Sequence, residues 1–340
     1  MIDLRSDTVT RPTDAMRRAM YEAETGDDVY GEDPTVNRLE AEVAELTGFP
    51  AALYVPSGSM ANQLAVYAAI RSGDEVWTHV DSHVSIDEQG GVAVLARGQL
   101  RTFTGPGPAP STEWLEDGLR ERHDIHRAPP RLISLENTFG GTVVPVAEQR
   151  RVADFARANG LLVHLDGARL WNAATALGLT PAETARGADS LAVCFSKGLG
   201  APVGSALCGG ADTIARARRA RKLLGGGMRQ AGVIAAGALY ALRHHRGRLA
   251  DDHRRARALA EGIAELPGLS VDLAAVHTNM VFVGVPRGRT DAYLAAFREH
   301  GVAAGASYGG AIRLVTHLDL GDADITAAVD AIAKAAAALA

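Results

Sequence analysis

Cysteine, lysine and long apolar stretches are all scarce in this sequence. Cys194 and Cys208 are the only two cysteines, and both sit in apolar, strand-like runs. Buried reduced thiols are therefore expected, as in a cytosolic (cytoplasmic) protein, rather than a disulfide framework. No apolar run approaches the ~20 residues of a membrane-spanning helix, so no membrane partner is expected. The opening MIDLRSDTVTRP lacks a basic region followed by an apolar core and does not read as a secretory signal. Formal net charge is −5 and no basic run is interleaved with aromatics, so nucleic acid is not an expected partner. Lysine occurs only as Lys197, Lys222 and Lys334, with arginine supplying the remaining positive charge. Arg216, Arg218, Arg219 and Arg221 read as a solvated helix face. His123, His244, His245 and His253 lie among charged residues, read as exposed, and lack the spacing of a metal site. His79 and His164, inside apolar runs, read as packed core histidines.

What is present is an alternation of helical and strand-like patterns over 340 residues, enough for a large domain and a smaller one. A hydrophobic share of 47% and a charged share of 22% are ordinary for a globular chain. Val36, Leu39, Val43 and Leu46 recur at helical spacing behind the start signal Pro34-Thr35. Strands are expected at 51–55, 75–79, 132–136, 161–166, 191–196 and 204–209, separated by helices such as 147–159. This implies an α/β fold with a mainly parallel central sheet covered on both faces by helices. Polar helical residues at 241–264, strands near 279–285 and 311–317 and a helix near 291–300 describe a smaller α+β C-terminal domain. The expected organisation is an N-terminal segment over 1–15, a large domain over 16–245 and a small domain over 246–340. The stretch 104–111 reads as a surface loop, and the alanine-rich end as a surface helix.

The scarcity of lysine sharpens the stretch SLAVCFSKGLGAPVGSALCGG, residues 190–210, where an apolar run ends in Ser196-Lys197 before a glycine-rich turn. Arginine cannot lose its proton in a protein, whereas a desolvated lysine can become a neutral nucleophile. Two further strand ends matter, because ligands of open α/β sheets bind beyond the carboxyl ends of the strands. In YVPSGSMAN (54–62), Gly58 and Ser59 would offer backbone N–H groups and a hydroxyl to a phosphate at a helix N-terminus. Small residues also make ordinary turns, so this signal is weak alone. LLVHLDGAR (161–169) ends an apolar strand in Asp166, a costly place for an acid that meets no cation. Asp166 can cap a helix there, or pair with a protonated pyridine nitrogen. Taken together, a phosphate cradle, an acid and an amine on successive strand ends describe a site for a cofactor with a phosphate, a ring nitrogen and an aldehyde. Pyridoxal 5′-phosphate fits that description.

The chain also resembles the low-specificity L-threonine aldolases, fold type I pyridoxal-phosphate enzymes of the aspartate-aminotransferase-like superfamily. The matching stretches are MIDLRSDTVTRP (1–12), GDDVYGEDPTVNRLE (26–40), SLENT (134–138), HLDGARLWNA (164–173), SKGLGAPVGS (196–205), RKLLGGGMRQ (221–230) and IRLVTHLD (312–319). The resemblance implies that Lys197, beside Ser196 in the cofactor-binding segment, holds the cofactor as an imine and that Asp166 pairs with the ring nitrogen. It implies that Gly58 and Ser59 bind phosphate and that His83 stacks on the ring. Ser6, Arg169 and Arg313 match the groups that hold a substrate carboxylate. Arg229 and Tyr30 match residues that reach a neighbouring subunit's site, and His126 matches a histidine near the pocket entrance. Dimers, commonly paired into a homotetramer with shared sites, are implied as well.

Asp87 stands where the family usually has an aromatic, with Glu88 retained, and Phe139 where a relative often has histidine. Both differences bear on the substrate side chain or aldehyde. Asp27, Asp28 and Glu32 read as a polar turn before the Pro34 helix. The implied activity is cleavage of L-threonine, L-allo-threonine and related β-hydroxy-α-amino acids to glycine and an aldehyde. A β-eliminating lyase or amino-acid racemase on the same fold is the alternative. A nicotinamide-dependent oxidoreductase fails because GLGAPVG lacks the G-x-G-x-x-G spacing between strand and helix. A non-catalytic protein on this fold would be expected to have lost Lys197.

Overall fold

The computed structural model describes residues 1–105, 107–120 and 122–339. A two-residue strand, β1 (Ile2–Asp3), and helix α1 (Asp14–Tyr21) precede α2 (Pro34–Thr47). The α2 start is set by Asp33, whose carboxylate accepts from the Thr35 and Val36 N–H groups, and its stop by Gly48 at φ 74°. The chain continues through β2 (Ala51–Val55), α3 (Gly58–Ala69), β3 (Glu75–His79), the single turn α4 (His83–Ile86), β4 (Gln99–Phe103), α5 (Thr112–Arg120) and β5 (Pro130–Glu136). Next come α6 (Val146–Ala158), β6 (Leu162–Gly167), α7 (Leu170–Leu177), α8 (Pro181–Thr184), β7 (Ser190–Cys194), β8 (Ser205–Gly209), α9 (Ala211–Leu223) and α10 (Gly232–His244).

Strands β2 to β8 form one sheet in the order 2-8-7-6-5-3-4. Only β8 runs against its neighbours; the other pairings are parallel. Alternate residues of a strand face opposite sides. Leu191 and Val193 accordingly pack into a core with α2, α6, α7 and α10, while Ala192 packs into another with α3 and α9. Both faces are dry, which is why these strands read as unbroken apolar runs. Strand β4 escapes that reading: it is an edge strand, and Gln99, Arg101 and Thr102 break its apolar pattern. In the expected surface loop 104–111, Pro106 lies outside the described residues, and the rest carries no helix or strand.

The last third comprises α11 (Leu249–Ala264), β9 (Met280–Val283), α12 (Thr290–Glu299), β10 (Val302–Ala303), β11 (Gly305–Ala306), β12 (Ile312–Val315) and α13 (Asp322–Leu339). An antiparallel sheet β11-β12-β9 and the three helices enclose a second core around Leu259, Val281, Phe297, Leu314 and Ile332. Strand β1 pairs in parallel with β10, and Leu4 is buried in this same core, so the first residues pack with the last third of the chain. Helix α13 is more than a surface helix, because Ile325, Ala328, Ile332 and Ala335 turn inward against α11 and α12. Among the described residues no helix is long and apolar enough to cross a membrane.

Three polar readings change. Arg221, expected on a solvated face, is buried: its Nη2 donates to Asp28 and its Nη1 to the Tyr54 carbonyl, each at 2.7 Å. Asp28, expected in an open turn, is its buried partner. Arg218 pairs with Glu40, while Arg216 and Arg219 stay exposed. His245 is also buried, donating from Nδ1 to the Leu199 carbonyl at 2.7 Å, and His253 is half-buried against Asn172. Charged neighbours in sequence masked these contacts, whose partners are distant along the chain. Removing one member of a buried ion pair strands the other charge. Arg221→Met should therefore lower the unfolding free energy by about 3–5 kcal/mol in urea denaturation. Arg216→Ala on the same helix should change it by less than about 0.5 kcal/mol; equal effects would mean the pair carries no weight.

Candidate active site

The parallel register puts chemistry on neighbouring strand ends. Glu136 of β5 lies opposite Asp166 of β6, and Asp166 lies opposite Ala192 of β7. Lys197 follows β7 in a loop held by Gly200 N–H to the Lys197 carbonyl at 2.8 Å and Phe195 N–H to the Gly204 carbonyl at 3.0 Å. Gly204 adopts φ 112°, and a Cβ there would sit 2.4 Å from the Tyr54 hydroxyl, so only glycine fits this close approach. The half-buried Ser196 places its Oγ 3.4 Å from Cys194 Sγ.

Asp166 is buried, and each of its oxygens accepts one hydrogen bond. Its Oδ2 accepts from Asn62 Nδ2 at 2.7 Å and its Oδ1 from the Ala168 N–H at 3.0 Å. The same Asn62 nitrogen donates to Glu88 Oε1 at 2.9 Å, and that oxygen lies 2.8 Å from His83 Nδ1. Asn62 Oδ1 is 3.0 Å from His164 Nε2, and His164 Nδ1 is 2.9 Å from the Ser190 hydroxyl. Carboxylates only accept, so the Asn62 nitrogen faces the acids and its oxygen faces the histidine. His164 therefore donates from Nε2 and accepts from Ser190 at Nδ1. Burial pushes its pKa down to about 4, against the pull of Asp166, which keeps the ring neutral at physiological pH. His83, Glu88 and Asp166 place ligand-type atoms within 4.8 Å of one another, but Asn62 N–H donors already bridge the two carboxylates.

His83 opens α4, and its N–H donates to Glu136 Oε2 at 3.0 Å. The bond to Glu88 raises the His83 pKa above its ordinary value; burial opposes this, and Asp166 adds to it. Glu136 is pushed up to about 7 by burial and then by the negative charge of Asp166, against the His83 N–H and the charges of His83 and Lys197.

A second cluster sits beside Lys197. Arg169 holds Asp7 with two bonds, Nε to Oδ2 at 2.9 Å and Nη2 to Oδ1 at 2.6 Å, and Asn279 adds a third at 3.2 Å. Burial penalises the Asp7 charge, but Arg169 and then Lys197 outweigh it and hold the carboxyl below the usual range. Arg313 of β12 reaches the same segment, its Nη2 donating to the Arg5 carbonyl at 3.3 Å. Ser6 lies between these anchored neighbours, accepting from the Thr8 hydroxyl at 2.8 Å. Thr10 donates to the Lys197 carbonyl at 3.4 Å. Residues 5–10 thus link β12 to Arg169 and Lys197.

At the start of α3, Ser57 Oγ accepts from the Met60 N–H at 3.2 Å. The Gly58 and Ser59 N–H groups, in the first turn, have no intrahelical acceptor. The buried Ser205 hydroxyl, which has no hydrogen-bond partner, lies 3.7 Å from where a Cβ on Gly58 would stand. An aldehyde-capturing amine, an acceptor carboxylate, an imidazole and open N–H donors beside an orphaned hydroxyl form a donor set that suits pyridoxal phosphate.

Four expected site residues stand apart from this cluster. His126 is exposed, paired with Asp124, and lines a surface cleft with Glu75 and Gln99, which begin β3 and β4. It therefore lies toward the end of the strands opposite Asp166 and Lys197. Tyr30 is exposed, and Arg229 is exposed with its Nη1 2.9 Å from Asp27. Asp87 is exposed at the end of α4, its N–H donating to the His83 carbonyl at 2.9 Å. Phe139 packs its ring on His79 at 4.7 Å. Conversely, Asn62, Glu136 and Asp7 had no assigned role. Glu136 ends LISLE as Asp166 ends LLVHLD, the same signal of an acid closing an apolar strand.

The sequence profile described as the beta-eliminating lyase family matches residues 3–286. The fold is that of a threonine aldolase structure from Leishmania major, with TM-score 0.85 at 21% identity over 99% of this chain and 100% of that one. Fold and site together define a fold type I, pyridoxal-phosphate-dependent lyase. Low-specificity L-threonine aldolase 1 of Arabidopsis thaliana is 41% identical over 334 residues, covering 95% of this chain and 93% of that protein. The low specificity L-threonine aldolase of Escherichia coli K12 is 43% identical over 322 residues, covering 94% and 95%. The chain belongs to the low-specificity L-threonine aldolase family.

The folded protein holds the Glu136 proton up to about pH 7, whereas an ordinary glutamate releases it near 4.5. Folding takes up a proton between these values, so this group's contribution to stability falls as pH rises through them. Glu136→Gln should therefore raise the melting temperature of the cofactor-free protein at about pH 8 more than at about pH 5. A pH-independent change in thermal melts would remove Glu136 from the charged cluster.

Proposed function

We propose that this chain cleaves L-threonine, L-allo-threonine and related β-hydroxy-α-amino acids to glycine and an aldehyde. The observation that carries the reading is Lys197 and Asp166 on adjacent strand ends, beside a segment anchored by Arg169 and reached by Arg313. Bound there, pyridoxal phosphate supplies an imine-forming aldehyde and a protonated ring that takes up the electron pair released at Cα. Lys197 provides the amine, Asp166 the acceptor for the ring N–H, and His83 the imidazole that covers the ring. Gly58, Ser59 and Ser196 belong to the loops that would hold the rest of the cofactor.

Ser6, Arg169 and Arg313 would hold the substrate carboxylate and so set which bond at Cα stands ready to break. With Asp7 occupying Nε and one face of Nη2, Arg169 is held rigid and keeps Nη1 for the substrate. His83 Nδ1 is committed to Glu88, leaving Nε2 as the ring atom able to take the β-hydroxyl proton. Glu88 would then stabilise the resulting imidazolium, as the carboxylate does in other acid–His pairs.

The remaining roles concern the assembly. Tyr30 and Arg229 are exposed on turns that touch through Asp27, which supports a homotetramer in which those turns serve a neighbouring copy's site, with His126 likewise offered in trans. Residues 16–245 would act as the cofactor-binding unit and 246–340 as the small domain, with 1–15 reaching across both. Two buried, unpaired cysteines suit a cytoplasmic setting.

Lys197→Ala should abolish both the visible band of the bound cofactor and aldehyde release, and full turnover in that variant would refute the assignment. Asp166→Ala should weaken cofactor retention and cut the rate by at least about a hundredfold. Product analysis separates the chemistry: glycine with an aldehyde supports aldol cleavage, whereas ammonia with an oxo acid marks β-elimination. An aromatic placed at Asp87 should shift preference among β-substituted serines; an unchanged ranking across such a panel would place Asp87 away from the substrate.

A further inference from the structure

We propose that Asn62 is a positioning residue whose single amide ties the acid facing the cofactor ring, Asp166, to the acid that holds His83, Glu88. The two acids come from different places, one ending β6 and the other following α4, and nothing in the sheet register aligns them. Asn62 Nδ2 meets them at 2.7 and 2.9 Å, using both of its hydrogens. Carboxylates that share one donor nitrogen repel each other, and the N–H dipoles between them offset that repulsion. The amide cannot turn over. Rotated by half a turn, its oxygen would face two carboxylates and its N–H groups would face the Nε2–H of His164. The two carboxylates thus fix the hand of the junction, and the buried His164 and Ser190 complete it on the oxygen side.

Other side chains of similar size do not supply two donors here. Aspartate would set an acceptor against two acceptors, serine has one donor for two acids, and leucine has none. The consequence falls on His83, which is faced by Glu88 from its own loop, Glu136 of β5 at its backbone N–H, Asp166 of β6, and Lys197 after β7. Glu88 is held in place for His83 only while Asn62 holds it. The inference relies on the proposed cofactor reading solely for what Asp166 faces.

The test is a titration of the His83 ring by NMR, in the holoenzyme and after cofactor removal, for wild type, Asn62→Leu, Glu88→Gln and the double variant. In Asn62→Leu the His83 midpoint should move down by about one pH unit. Glu88→Gln should move it similarly, and the double variant no further than Glu88→Gln, because Asn62 acts through Glu88. Cofactor retention should fall about tenfold in Asn62→Leu, since Asp166 loses one of its two donors. Should Asn62→Leu fail to fold, Asn62→Ala, which serves neither acid and adds no bulk, should give the same downward shift. A folded variant with an unmoved His83 midpoint, or shifts that simply add in the double variant, would overturn the inference. Absence of the visible band in wild type would instead count against the cofactor reading and leave the His83 result standing.

Discussion

The structure depends on keeping a negative charge where a parallel sheet would otherwise have nothing but apolar contacts. Asp166 closes β6 between Glu136 and β7, and it is almost entirely removed from water. A carboxylate in that position is costly unless donors replace its hydration. Two N–H groups do so from below and beside it, while the direction of the open sheet edge is left to the ligand. The strand order, the packing of α3 against the sheet and the depressed basicity of His164 all serve that one arrangement.

Around this charge the site divides its labour by distance along the chain. Asn62, Glu136, Asp166 and Lys197 come from α3, β5, β6 and the loop after β7, around the central sheet. Residues 5–10, which follow the buried Leu4, and Arg313 of β12 adjoin the second core. Asp7 is the hinge between them in a chemical sense. It is wholly buried, and its partners Arg169 and Asn279 flank α7 and β9, one beside each core.

Much of the fold was legible because dry parallel strands leave unbroken apolar runs, and because two neighbouring runs closed in an acid and a third led into Lys197. Lys197 and Asp166 stood out for that reason. Edge strand β4 did not, since half of its surface meets water and its composition follows. Asn62 was hidden because one asparagine in a helix carries no period; only its three partners, spread from position 88 to position 166, give it meaning. Arg221 and Asp28 looked like solvent-facing charges for the same cause: a buried ion pair leaves no local trace when its members are far apart in sequence. His126, Tyr30 and Arg229 are exposed surface side chains whose surroundings within one chain assign them no task.

The pairing of Ile2 with Val302 has a consequence for how the protein is made. Strand β1 leaves the ribosome well ahead of its partner β10, which is synthesised on the order of tens of seconds later at typical elongation rates. The large sheet can form around Asp166 and Lys197 in that interval, while Ser6 and Asp7 stay tethered to an unpaired strand. Newborn chains thus bring the amine and the acid together before the segment of Ser6 and Asp7 is anchored, and a nascent polypeptide stalled before Val302 would hold the first without the second.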